Sequence, residues 1–111
     1  MRPAHAIDLS ARRRLLIVRL TGEIDSAAMP DLRAALASAS RLSPPTLSLD
    51  FTATTYVGLS ALGALLVARA TAMSADVDVL TPGAPGSFRR LTESTSWTGL
   101  IGRPADPAAR S

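Results

Sequence analysis

The sequence predicts one small α/β domain, a mostly parallel (mixed) β-sheet with helices packed on it, in the order β-β-α-β-α-β-α. Three observations lead there. Apolar runs of strand length, rich in β-branched residues, alternate with segments whose apolar residues recur at helical spacing. Breaks containing Gly and Pro separate them, and neither an internal repeat nor a linker marks a second domain. The chain has 111 residues, 47% of them hydrophobic, enough for one core that buries roughly two-thirds of the surface of the unfolded chain.

Taken in order, HAIDL (5–9) alternates weakly and suits an edge strand, and Ala11 to Arg14 is polar enough for a turn. LLIVRL (15–20) is short, apolar and β-branched, as a central strand should be. Thr21-Gly22 is expected to break it, and residues 23–26 to carry the chain to a helix. Pro30 belongs in the first turn of that helix, because further in it would cost about 3 kcal/mol. Leu32, Ala35, Leu36 and Ala39 then form one apolar face, and Ser43-Pro44-Pro45 ends the segment. TLSLDF (46–51) alternates as a strand, and TATTYVGLS (52–60) is expected to be a loop. ALGALLVARATAM (61–73) is apolar nearly all round, so this helix must lie heavily buried across the sheet. VDVL (77–80) is a further strand, and TPGAPGS (81–87) is turn punctuation. Ser87 is expected to cap a short helix presenting Phe88 and Leu91. Trp97, Leu100 and Ile101 should close the core, giving a domain over residues 4–102 and a frayed tail over 103–111.

Composition removes several classes of function. The absence of cysteine excludes disulfides and thiolate metal sites, and the single His5 cannot form a histidine cluster. No apolar run approaches the ~18 residues of a membrane span, and no 7–15-residue apolar stretch follows the first residues as a secretion signal would require. A cytoplasmic protein, not inserted in a membrane, is the expectation. The isoelectric point near 11.0 accompanies a net charge of only +3, because all the basic residues are Arg and none titrates near neutrality. They are scattered apart from Arg12-Arg13-Arg14 and Arg89-Arg90, with no basic stripe interleaved with aromatics, so direct nucleic-acid binding is not expected. Arg12 to Arg14 reads as a solvated turn. Asp76 and Asp78 read as a solvent-facing strand edge without a third metal ligand. Gly83 to Gly86 lacks the Lys and Ser/Thr of a phosphate loop. Glu23 and Asp25 have no histidine beside them, so structural or interface roles are expected and catalysis is not. No metal and no cofactor is expected, and the chain reads as a non-enzyme.

Two stretches carry a family resemblance. LLIVRLTGEIDSAAMPDLRAAL (15–36) resembles the opening of STAS domains, where an apolar strand runs into G-E-[IL]-D and then a helix. TLSLDFTATTYVGLSALGALL (46–66) resembles the family's central signature: a strand ending in D-[LF]-[ST], a short loop, and a helix opening with D-S-x-G-L-G-x-L. The spacing from Asp50 to Leu62-Gly63 matches without a gap. SFRRLTESTSW (87–97) is similar to the closing part, so the resemblance spans roughly residues 6 to 101.

The resemblance implies an anti-sigma factor antagonist (anti-anti-sigma factor). Such a module binds an anti-sigma factor that is also an ATP-binding serine kinase, and so influences sigma-dependent transcription. In that family the kinase phosphorylates a serine at the loop-to-helix junction, where free N–H groups favour a phosphate and the added charge can block docking. Here Gly58 stands at the aspartate position, Leu59 at the serine position, and Ala61 replaces the glycine. The implied function is therefore partner binding without the usual phosphoserine switch. Ser60, the remaining hydroxyl, is the phosphorylation candidate and otherwise an N-cap. The implied partner-binding residues are Asp25, Thr54, Thr55, Gly58, Leu59, Ser60, Ala61 and Leu62. An alternative within the same resemblance is an accessory subunit docking to the ATPase of a lipid-transport ABC system, and a homodimer is a further possible partnership.

Overall fold

The computed structural model describes residues 4–93. Trp97, Leu100, Ile101 and the expected tail at 103–111 lie outside the described residues. Strands β1 (His5–Arg12) and β2 (Leu15–Ile24) form an antiparallel hairpin closed by Arg13-Arg14. Arg13 takes a left-handed φ of 50°, the backbone twist that two-residue hairpin turns demand. β3 (Thr46–Val57) lies parallel to β2, and β4 (Asp78–Leu80) parallel to β3, giving a mixed sheet in the order β1-β2-β3-β4. One 3-10 turn (Ser26–Ala28) leads into α1 (Met29–Leu42), while α2 (Leu59–Ser74) and α3 (Gly86–Thr92) complete the described chain. The element order is the expected one.

One core joins the layers. Leu16, Val18 and Leu20 of β2 and Leu47, Leu49 and Phe51 of β3 meet Leu32, Ala35 and Ala39 of α1, Leu62, Leu65 and Leu66 of α2, and Phe88 of α3. Alternation along β2 puts Leu16, Val18, Leu20 and Ile24 inside and leaves Leu15 and Ile17 half-buried, as expected of a strand covered on one face. Pro30 sits in the first turn of α1, and Ser43 ends that helix in a left-handed conformation (φ 46°), its N–H reaching the carbonyls of Ala39 and Ser40. Phe51 and Phe88 have ring centroids 5.1 Å apart and tilted by 50°, a favoured aromatic geometry that ties α3 to the sheet.

The largest departures from the sequence expectation lie at the C-terminal ends of β2 and β3. β2 does not stop at Thr21-Gly22 but continues to Ile24, because Gly22 takes φ +82° and lets the backbone turn within the sheet. A side chain at Gly22 would run into the carbonyl oxygen of Ala4. The segment 52–57 is likewise strand and not loop. Pairing shifts register twice, between Arg19 and Thr21 and again between Gly22 and Glu23. β3 thereby uses Thr46–Val57 to span what β2 spans with Leu15–Ile24, two extra residues accommodated as bulges. Sequence alternation fails there because a bulge breaks the period of two on which the strand reading depends.

Smaller corrections follow the same logic. α2 begins at Leu59 and ends at Ser74, longer at both ends than expected. β4 starts at Asp78, and Asp76 lies in the preceding turn with φ 63°, so the two aspartates do not share a strand. Pro85 occupies the N-cap position of α3 without a side-chain hydrogen bond, and Ser87 lies inside the helix. The turn before α3 closes on β3: Phe51 N–H donates to the Pro82 carbonyl at 2.8 Å, and Gly83 (φ +71°) passes so near Thr52 that an added Cβ would fall 2.8 Å from its Cα. We expect Gly83→Ala to cost about 2 kcal/mol, from the left-handed backbone and the displacement of Thr52. A denaturant midpoint unchanged from wild type would refute that account of Gly83.

Candidate functional site

The site implied by the sequence lies where β3 passes into α2. Gly58 N–H donates to the Ile24 carbonyl at 2.8 Å, fastening the end of β3 to the end of β2. Gly58 is itself buried and occupies the N-cap position of α2 with no side-chain hydrogen bond. The expectation that Ser60 caps this helix is therefore corrected. Ser60 falls within the first turn, exposed, too far along to serve as the capping residue. Leu59, the first residue of α2, is 85% exposed. No other large apolar residue among those described is so open.

The remaining site residues separate into two sets. Ala61 and Leu62 are buried in the core and anchor the helix, so they cannot offer their side chains to a partner; helical periodicity turns them inward two and three residues after Leu59. Thr54 is half-buried, its hydroxyl donating to the Leu20 carbonyl at 2.8 Å, and therefore stitches β3 to β2. Thr55 is exposed beside it. Asp25 is half-buried and caps the 3-10 turn by accepting the Ala27 N–H at 3.1 Å, with its backbone against Gly58. The structure brings Asp25, Gly58, Leu59, Ser60 and Thr55 to one end of the sheet.

Tyr56 was not among the implied site residues. It is 57% exposed, its ring lies 3.6 Å from where a Gly58 side chain would begin, and its Cα pairs with Glu23. The signal was a single aromatic in a polar run, in a chain with only four aromatics, but reading that run as loop left its direction unknown. Tyr56 and Leu59 are thus exposed apolar side chains on either side of Gly58, and Glu23, paired with Tyr56, is exposed as well. The arrangement is suited to docking, since exposed aromatic and aliphatic anchors with a polar rim are the usual form of an interaction surface.

Asp50, the acid of the D-[LF]-[ST] signature, lies within β3 at the last pair before the first register shift and holds the strand in shape there. Its carboxylate accepts the Thr52 hydroxyl at 2.6 Å and the Thr52 N–H at 2.9 Å, and the Arg19 Nε donates to it at 3.1 Å. The hydrogen bonds from Thr52 outweigh burial, and with Arg19 adding to them the carboxyl is held below the ordinary aspartate range. Because the folded-state value is depressed, the stabilisation is complete above the unfolded value near 3.9 and disappears as pH falls through the lower folded value. We expect Asp50→Ala to cost about 1–2 kcal/mol near neutrality, with the gap from wild type closing in acid below about pH 4. A gap constant down to acid pH would show that the carboxylate charge is not what matters.

Away from the junction, a cavity of about 320 Å³ opens between the C-terminal halves of α1 and α2, lined by uncharged residues including Leu36, Leu47, Ala64, Val67 and Thr71. Among the described residues no helix is long and apolar enough to cross a membrane.

The family model described as "Mlab, STAS domain" matches residues 7–102. The chain belongs to the STAS domain family. Solved structures agree on the fold. An anti-sigma factor antagonist from Mycobacterium paratuberculosis is 22% identical, with a TM-score of 0.62 over 86% of this chain and 79% of its own. The Bacillus cell fate determinant SpoIIAA in its phosphorylated form is 20% identical, with a TM-score of 0.67 over 91% of this chain and 92% of that one. SpoIIAA in its unphosphorylated form, an anti-sigma factor antagonist, is 19% identical, with a TM-score of 0.62 over 86% and 94%. No curated protein matches the sequence.

Proposed function

We propose that this STAS domain is a non-catalytic interaction module of the cytoplasm that binds an anti-sigma factor of the ATP-binding serine-kinase type, and so influences sigma-dependent transcription. The observation that carries this reading is Leu59: an aliphatic side chain left 85% exposed at the start of a helix that Ala61 and Leu62 lock into the core. An anchor so placed gains most when a partner desolvates it. Support also comes from the solved relatives named anti-sigma factor antagonists, which share the fold. With Leu59 where the family has its serine, docking is not gated by phosphate at that position, and Ser60 remains unmodified.

The same permanence favours one second reading, a constitutive accessory subunit on the ATPase of a lipid-transport ABC system. Affinity purification of the tagged full chain from its own host, with partners identified by mass spectrometry, separates the two. Recovery of an anti-sigma kinase supports the first reading. Recovery of transporter subunits replaces it with the second.

A further inference from the structure

We propose that two copies of this chain associate edge to edge through β1, in an antiparallel register with its two-fold axis at Ser10. The phase of the ladder decides which groups are free. The Ala4 carbonyl accepts the Glu23 N–H at 3.0 Å, and pairing continues without a shift from His5–Gly22 to Arg12–Leu15. Antiparallel ladders alternate between hydrogen-bonded and non-bonded pairs. Ala6, Asp8, Ser10 and Arg12 therefore direct their backbone groups toward β2, whereas His5, Ile7, Leu9 and Ala11 direct theirs outward. β1 is the first strand of the sheet order, and no described element pairs with its outer side. Unpaired backbone groups along an edge are a template for another strand.

The second copy is favoured by the charges. Asp8 through Arg12 are all exposed, including Leu9 at 38%, while His5 to Ile7 are half-covered. Around His5 lies α1, whose Asp31 Oδ2 is 3.1 Å from the His5 ring nitrogen. With Ser10 facing Ser10 of the second copy, Leu9 and Ala11 fall opposite one another as hydrogen-bonded pairs. Asp8 faces Arg12 of the second copy, and Arg12 faces its Asp8, in the non-bonded pairs where side chains approach most closely. A slip that opposes Asp8 to Asp8, or Arg12 to Arg12, sets like charges together. A slip centred on Leu9 gives up both direct ion pairs and draws in the half-covered residues beside Asp31. The interface is isologous, as a two-fold contact must be. It is also small, so the dimer is weak and in exchange with monomer. Leu59 lies beyond β3, two strands in from this edge, and both copies keep their junction open.

The absence of cysteine makes a direct test available. Oxidation of Ser10→Cys should crosslink most of the protein into dimers on a non-reducing gel, while Leu9→Cys should crosslink far less. In sedimentation equilibrium the apparent mass should climb from 11.5 kDa toward twice that value as concentration rises. Asp8→Arg should hold it at the monomer value, and the double exchange Asp8→Arg with Arg12→Asp should restore dimerisation. Monomer at every concentration overturns the proposal, as does an Asp8→Arg variant that dimerises like wild type. Dimers lost in Leu59→Asp and kept in Asp8→Arg would place self-association at the helix junction and equally overturn it.

Discussion

Phe51→Ala should lower stability by about 3–5 kcal/mol, the range for removing a buried aromatic side chain. Phe51 is 2% exposed and Phe88 fully enclosed, and their rings meet 5.1 Å apart. Truncation at 51 leaves Phe88 facing a void that the rigid backbone of β3 cannot close, because Phe51 is itself hydrogen-bonded to Pro82. α3 is a short helix, too short to persist on propensity alone, and would lose its main anchor. Since domains of this size carry about 5–15 kcal/mol in total, the variant should melt at least ~12 °C below wild type. Calorimetry or thermal denaturation followed by circular dichroism measures it. A shift of only a few degrees would mean that α3 is held by contacts other than this pair.

The second large effect concerns binding and should leave the fold intact. Leu59→Asp is expected to weaken docking of the captured partner by about 2–4 kcal/mol, the cost of removing a central anchor and burying a charge in its place. Leu59 contributes little to the core because it is 85% exposed. An aspartate at the first position of α2 also sits favourably against the helix dipole, so the melting temperature should not fall. Isothermal titration with the purified partner reads the affinity, and a melt of the same sample reads the fold. Undiminished affinity would move the docking surface away from this junction. Lost affinity with a lower melting temperature would point instead to a structural role for Leu59.

These two residues also mark what the sequence could and could not disclose. The fold was legible because it rests on periodicity: Leu47, Leu49 and Phe51 alternate, Leu32, Ala35 and Ala39 recur at helical spacing, and each set is buried. The junction was legible in position but not in orientation. Its residues sit among bulges, and a bulge shifts which side chains face out without leaving a mark in residue type. For that reason residue type does not disclose that Thr54 bonds to the Leu20 carbonyl or that Tyr56 faces out, while Ala61 and Leu62, implied as partner-binding by the family resemblance, face the core as an all-round apolar helix should. Ser60 read as a cap because hydroxyl residues favour that position, but the hydrogen bond from Gly58 to Ile24 fixes where the helix starts. No propensity encodes such a long-range contact. The Asp50 interactions fall between these cases. The residue type announced a polar strand end, while its partners Thr52 and Arg19 required the register to be known.

The two extra residues of β3 also act as a parity condition on the chain. Leu15 pairs with Thr46 at one end and Ile24 with Val57 at the other. Because the surplus is even, both strands leave the sheet in step, with Ile24 buried and Val57 packed against the core. A single insertion or deletion between Asp50 and Val57 would put inside and outside out of step and rotate α2 about its own entry, turning Leu59 inward. Changes of two residues would keep the phase. Length variation in this segment is therefore constrained in the manner of a reading frame, by a count modulo two as much as by the identity of any one side chain.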